Sequence, residues 1–197
     1  MDASSSFADI LAWRAAERRR LIQRRLALDP DTRRDRAAGI AEGLTRLIGT
    51  PRGRIIGVYW PVRGEPDLRP WSAAILRSGG RCALPVVVEK NAPLVFRIWS
   101  PDAPMARDAW NIPVPAGGEE VVPDILLAPV AGFDRACFRL GYGGGFFDRT
   151  LAVLSPRPLV IGVGHAAAEI ATIHPLPHDI PMDAIVTERE TIRRSAA

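Results

Sequence analysis

Arg139-Leu-Gly-Tyr-Gly-Gly-Gly-Phe-Phe-Asp-Arg149, entered from the apolar run Ile125-Leu-Leu-Ala-Pro-Val130, decides the class of fold. The run is short and aliphatic, so it reads as a buried strand. Phe147 to Leu154 reads as a helix. Between them, four of the five residues from 141 to 145 are glycine. Without Cβ atoms these positions turn through φ > 0 and let a ligand approach the backbone closely. Successive free N–H groups in such a bend form a concave anion site, and the start of the next helix adds partial positive charge. Arg139 and Arg149 flank the bend, and Asp148 offers a hard oxygen to a phosphate-bound magnesium ion. The segment reads as a nucleotide phosphate cradle. It is not a Walker A loop, because no Gly-Lys-Ser/Thr closes it. A glycine run can also be a flexible turn or a tight helix–sheet contact; the flanking charges favour the ligand reading.

Working outward, strands and helices alternate. Residues 8–28 have a broken apolar stripe of Ile10, Leu11, Leu21, Ile22 and Leu28, which predicts a helix. Asp29-Pro30 reads as the cap and first-turn proline of a second helix over 30–48. Arg54–Trp60 is a predicted strand, 61–66 a loop, and 68–78 a helix stopped by Gly79-Gly80. Strands are expected over 81–88, 94–99, 125–130, 159–163 and 184–187. Residues 100–123, rich in proline and glycine, read as a long functional surface loop. The ends, 1–7 and 189–197, are expected to be loose. The pattern predicts a single α/β domain over 1–197, its mainly parallel sheet flanked by helices, with an N-terminal helical pair. Ligands of such sheets gather at the carboxyl ends of the strands, where the glycine bend and the loop bearing Glu65 both emerge.

The chain has 197 residues, a size suited to one core, with 47% hydrophobic and 24% charged residues, as in ordinary soluble proteins. No stretch is apolar enough to span a membrane, and the start lacks the layout of a secretory signal. Cys82 and Cys137 suggest neither a disulfide framework nor a metal site, so a reducing cytoplasm is expected. The net charge is +4, with nine arginines between Arg14 and Arg36. Such an excess suits an anionic small molecule, a solvated helix face or nucleic acid. No nucleic-acid-binding signature accompanies it, so no nucleic-acid partner is expected. A monomer is expected as well, since no self-complementary apolar surface stands out. His165, His174 and His178 lie across a proline-rich stretch and read as structural or pocket-lining rather than as a metal group.

The glycine segment resembles the signature loop of the 5-formyltetrahydrofolate cyclo-ligase family. Other segments match that family in order: Tyr59-Trp-Pro-Val-Arg-Gly-Glu65, Trp110-Asn-Ile-Pro-Val-Pro115, Pro129-Val-Ala-Gly-Phe-Asp134, and His178-Asp179 followed by Asp183-Ala-Ile-Val-Thr-Glu188. The likeness runs from about residue 14 to 188. It implies ATP-dependent conversion of 5-formyltetrahydrofolate to 5,10-methenyltetrahydrofolate, with Mg²⁺. The alternative is a divergent paralogue that binds nucleotide and a folate-like or other small molecule without cyclo-ligase activity.

Carried over residue by residue, the resemblance implies ATP binding by Arg14, Arg18, Arg139, Leu140, Gly141, Tyr142, Gly143, Gly144, Gly145, Phe146 and Phe147. It implies folate contacts from Trp60, Glu65 and Trp110, together with Tyr142, Gly143, Gly144, Gly145 and Phe146. Arg139, Tyr142 and Gly144 would stand closest to the chemistry, and Asp148 and Asp179 would hold Mg²⁺. Departures from the family pattern are Arg14 in place of lysine, Cys137 in place of the glycine usual two places before Arg139, Phe146-Phe147 in place of tyrosines, the missing glutamine in 164–169, and His174 in place of proline.

Overall fold

The computed structural model describes residues 6–195. Two long helices come first, α1 (Phe7–Leu26) and α2 (Pro30–Ile48). Ser6 caps α1 in a reciprocal pair with Asp9, and Asp29 caps α2 by accepting the Thr32 N–H at 2.8 Å. Then follow β1 (Ile55–Gly57), α3 (Arg69–Arg77), β2 (Arg81–Val86), β3 (Val95–Trp99), β4 (Met105–Arg107), β5 (Pro113–Pro115) and β6 (Glu120–Val121). The second half contains β7 (Ile125–Pro129), β8 (Gly132–Phe133), β9 (Arg139–Leu140), α4 (Phe146–Val153), β10 (Leu159–Val163), β11 (Ala184–Val186) and β12 (Thr191–Arg193).

The α/β class and the mainly parallel sheet are as expected. The main sheet runs β12-β11-β10-β7-β1-β2-β3-β6. Its five inner strands, β11 to β2, pair in parallel, while β12, β3 and β6 add antiparallel edges. From β1 the chain winds outward through β2; on its return it lays β7 on the other side of β1 and winds the opposite way. The join between β1 and β7 is therefore the topological switch point, where loops diverge and leave a crevice.

Alternation along the strands supplies both faces of the sheet. Ile125 and Leu127 pack with Ile40 and Leu44 of α2 and Trp71 and Ile75 of α3. Leu126 and Ala128 face the other way, toward Leu151 of α4, Phe133 and Ile185. Pro85 is tolerated inside β2 because it lies past Ala83, the last residue that β1 pairs, so its missing N–H leaves no ladder bond unmade.

Three expectations are corrected. The region 100–123 is not a structureless loop: β4 and β5 form a hairpin, and β6 extends the main sheet. The C-terminal stretch is not loose over 191–193, because β12 pairs with β11 and buries Ile192 against the second core. At the other end, α1 already begins at Phe7, and Met1–Ser5 lie outside the described residues, as do 196–197. Nor is the stripe of α1 apolar. Its buried residues are Arg14, Leu21 and Arg25, while Leu11 is exposed.

Because Ile192 is buried in a core contact, Ile192→Ala is expected to lower the unfolding free energy by about 2–4 kcal/mol. Urea denaturation checks this; a loss below ~0.5 kcal/mol would mean that β12 does not hold the sheet edge.

Candidate active site

A cavity of about 780 Å³ opens at the carboxyl end of the parallel strands. It is large enough for a drug-sized ligand. The loop after β1 brings Trp60 and Glu65 to it, and the segment after β9 brings Gly141 to Asp148. Helix α1 closes one side with Leu11, Arg14 and Arg18, and the hairpin arm between β4 and β5 contributes Asp108, Trp110 and Ile112. Asp179 and His178 line the remaining edge.

The glycine bend has the conformation its composition demands. Gly143 and Gly145 sit at φ 94° and 65°, which side-chain-bearing residues rarely adopt. Gly145 caps α4 in a left-handed conformation with no side-chain hydrogen bond. Among the described residues, the N–H groups of Gly143, Gly144 and Gly145 have no protein acceptor. They form an open set of donors at a helix start, the arrangement an anion fits.

Cations surround this bend. Arg18 Nε donates to the Gly141 carbonyl, and Arg18 forms no ion pair among the described residues. Burial and the neighbouring Arg14 cation both depress the Arg18 pKa. A guanidinium in that position is stabilised by any anion that enters. Arg139 is almost fully buried; its Nη1 donates to the Ile180 carbonyl at 2.9 Å, and its Nη2 lies 2.6 Å from Asp148 Oδ1. Burial pulls the Arg139 pKa down and Asp148 opposes the shift; a guanidinium stays charged regardless. Arg149 lies over the Phe146 ring and donates to the Gly144 carbonyl.

The two aspartates differ in what they have free. Asp179 grips Arg14 with both oxygens, at 2.7 and 3.1 Å, and Oδ2 also accepts the Leu176 N–H. Burial raises its pKa, but the Arg14 bonds and the Leu176 N–H outweigh this and hold it below the usual value. Asp148 uses Oδ1 for the Ile180 N–H and for Arg139, and among the described residues its Oδ2 has no hydrogen-bond partner. No group of three or more His, Cys, Asp or Glu side chains that could hold a metal occurs among the described residues. A magnesium ion is nonetheless compatible with this donor set, because it commonly takes only one or two carboxylates beside phosphate oxygens and water.

Glu65 also lines the cavity and is buried. Its Oε1 accepts the Tyr142 hydroxyl proton at 2.6 Å, and its Oε2 accepts the Val62 N–H at 2.9 Å. Burial raises the Glu65 pKa, and these two bonds, with the nearby Arg25 and Arg63 cations, only partly offset it. Each carboxylate oxygen keeps a lone pair for a ligand N–H. Trp60 and Trp110 offer flat walls. Trp110 is about half exposed and meets the Phe146 ring edge-on at 5.3 Å, and Trp60 meets Trp99.

The structure thus gathers around one cavity Arg14, Arg18, Trp60, Glu65, Trp110, Arg139, Gly141 to Asp148 and Asp179. Leu140 is the exception: its side chain packs against Leu21 and Ile173, away from the cavity, so only its backbone could serve a nucleotide. Tyr142 turns its hydroxyl to Glu65 and not toward the glycine N–H groups. His165 is buried, 3.3 Å from the Gly64 carbonyl, and His174 packs edge-on against Trp13. Sequence reasoning missed Arg25. The spacing 14, 18, 21, 25 places all four residues on one helical face, a signal hidden by the abundance of arginine.

A model of the 5-formyltetrahydrofolate cyclo-ligase family matches residues 10–188. The chain is 29% identical over 172 residues to 5-formyltetrahydrofolate cyclo-ligase of Escherichia coli K12, covering 84% of this chain and 94% of that one. It is also 29% identical over 184 residues to the Mycolicibacterium smegmatis enzyme of the same name, covering 87% and 92%. The solved structure of Aquifex aeolicus 5,10-methenyltetrahydrofolate synthetase superposes with a TM-score of 0.81 at 26% identity, over 93% of this chain and 94% of that one.

The buried Glu65 carboxylate carries a stability consequence with a definite sign. Its folded pKa lies above the unfolded value of 4.5 because burial penalises the charge. Its contribution is therefore intact below pH 4.5 and is lost as pH rises through the folded pKa. Glu65→Gln removes that penalty, so the variant is expected to gain unfolding free energy over wild type as pH rises from 4 to 8. Denaturant titrations along that range test this, and a difference independent of pH would rule it out.

Proposed function

The chain belongs to the 5-formyltetrahydrofolate cyclo-ligase family, and we propose that its cleft carries out that ligase reaction, the ATP-dependent conversion of 5-formyltetrahydrofolate to 5,10-methenyltetrahydrofolate with release of ADP and phosphate. The observation that carries this reading is one cavity lined both by the glycine bend with Arg14, Arg18 and Arg139 and by the buried Glu65 carboxylate with Trp60 and Trp110.

The chemistry requires this division. The formyl group on N5 is an amide, whose oxygen is a poor leaving group. Transfer of the γ-phosphoryl group to that oxygen makes it a good one. N10 then attacks the formyl carbon and loses its proton, and phosphate departs to leave the methenyl bridge. Such a reaction needs positioning and charge neutralisation more than a nucleophilic side chain. The N–H groups of Gly143 to Gly145, with Arg14, Arg18 and Arg139, hold the triphosphate and neutralise the charge that moves with the phosphoryl group. Glu65 accepts N–H groups of the reduced pterin, while Trp60 and Trp110 flank its ring and exclude water. Tyr142 and Gly144 lie where the two ligands meet.

Magnesium would be held through Asp148 Oδ2, and through Asp179 once phosphate draws Arg14 away from it. When bound, the ion neutralises charge on the phosphate oxygens. We place the enzyme in the cytoplasm as a monomer without membrane or nucleic-acid partners. Both cysteines are buried free thiols, raised by burial to about 12 for Cys82 and about 11 for Cys137, which suits a reducing compartment. No described helix is long and apolar enough to cross a membrane.

Purified protein with ATP, Mg²⁺ and 5-formyltetrahydrofolate is expected to develop the near-ultraviolet absorbance of the methenyl product. Nucleotide binding without that product would favour a paralogue acting on another small molecule. Asp148→Ala is expected to abolish magnesium-dependent turnover while circular dichroism stays unchanged; an unaltered rate contradicts the metal role. Glu65→Gln is expected to raise KM for folate about tenfold or more with little effect on ATP, and an equal rise for both would contradict a pterin-side role.

A further inference from the structure

The buried Arg25 is the least explained charge near the cleft. It sits one turn beyond Leu21 on α1, almost fully inaccessible, and makes no ion pair among the described residues. Its fork reaches three oxygens on three segments. Nε donates to the Arg63 carbonyl at 2.9 Å, Nη1 to the Val130 carbonyl at 3.2 Å, and Nη2 to the Tyr142 hydroxyl at 2.5 Å. The first is in the loop after β1 and the second follows β7, so one side chain spans the switch-point crevice from behind.

The contact with Tyr142 has a directional consequence. A phenol has one proton and two lone pairs. With an Arg25 N–H occupying one lone pair, the proton is committed to the remaining neighbour, Glu65 Oε1, 2.6 Å away. Were Arg25 an acceptor, or absent, the hydroxyl could rotate toward other acceptors. We propose that Arg25 is a positioning residue for the cyclo-ligase reaction: through the Tyr142 hydroxyl it fixes the orientation of the Glu65 carboxylate, and through Arg63 and Val130 it ties that carboxylate to the helix that carries Arg14 and Arg18. The inference rests on the reading of the cleft given above, with Glu65 on the folate side.

The groups facing Glu65 are Arg25 from α1, Tyr142 from the glycine bend, Arg63 and the Val62 N–H from its own loop, and the Tyr59 phenol below. His165 approaches through the Gly64 carbonyl. Arg25 and Arg63 are the cations in this set, and both favour the ionised carboxylate that folate N–H groups need. Removing the Arg25 charge raises the Glu65 pKa, so folate use declines at a higher pH than in wild type as acid is added.

Three variants test this with ATP and 5-formyltetrahydrofolate as substrates. Arg25→Gln is expected to raise KM for folate about 10- to 100-fold, the size of a charged hydrogen bond, with KM for ATP nearly unchanged. Its acid limb of kcat/KM for folate is expected to move to higher pH. Arg25→Lys keeps the charge but cannot hold three oxygens in a planar fork; its limb is expected to stay near wild type while KM for folate still rises. Because part of its action runs through the phenol, Arg25→Gln in a Tyr142→Phe background is expected to cost clearly less than Arg25→Gln does in wild type. An unmoved acid limb in folded Arg25→Gln, or additive losses in the double variant, overturns the proposal. Should Arg25→Gln fail to fold, Arg25→Lys decides: an equal rise of both KM values overturns it. Absence of product with wild type would instead sink the cyclo-ligase reading itself.

Discussion

Helix α1 is held to the protein by guanidinium groups, and the cleft depends on that attachment. One face of the helix presents Arg14, Arg18, Leu21 and Arg25, and only Leu21 joins an apolar cluster. Arg14 engages Asp179, Arg18 the Gly141 carbonyl, and Arg25 three oxygens at once. A buried leucine contributes roughly 1.5–3 kcal/mol. Removing one partner of the buried Arg14–Asp179 pair costs about 3–5 kcal/mol, a penalty for the stranded charge and not a net gain from the pair, so the pair acts on the helix's placement more than on overall stability. The polar contacts therefore govern where α1 sits, and α1 forms one side of the cavity.

This mode of attachment links structure to chemistry. The cations that seat the helix are those an incoming triphosphate would draw on, and the acids that now satisfy them are those a divalent ion would take over. Arg14 and Asp179, together with Arg139 and Asp148, form two guanidinium–carboxylate pairs beside the glycine bend. Pairing Arg14 with Asp179 and Arg139 with Asp148 limits the penalty that isolated buried charges would carry. On the proposed folate side, the buried Glu65 carboxylate is partly compensated by a phenol, an amide N–H and nearby cations. The two sides meet at Tyr142, whose backbone belongs to the phosphate bend and whose hydroxyl belongs to Glu65.

Much of this was legible in the chain. Strands 125–130 and 159–163 announce themselves as aliphatic runs, and Asp29-Pro30 marks a helix start by local chemistry. The bend at 141–145 needs glycine at the two positions with positive φ. The segments carrying Glu65, Arg139, Asp148 and Asp179 were recognisable as family motifs. The hairpin of β4 and β5 was not legible, because its proline-rich strands lack alternation and take their form from pairing with each other. Strand β12 was hidden for a similar reason: Thr191–Arg193 is too short to show a period and is fixed by β11.

The sequence alone determined the α/β class, the positions of its main strands along the chain and the character of the glycine bend, because these follow from residue-scale preferences for φ, burial and periodicity. Tertiary structure alone decided which charge meets which. Arg14 and Asp179 lie 165 residues apart, and Arg25 and Tyr142 lie 117 apart. In a chain with 26 basic and 22 acidic residues, no local pattern selects those pairs. Only the fold does so, by packing α1 against the segments that follow β1, β7, β9 and β10, where burial turns a few of many possible contacts into obligatory ones.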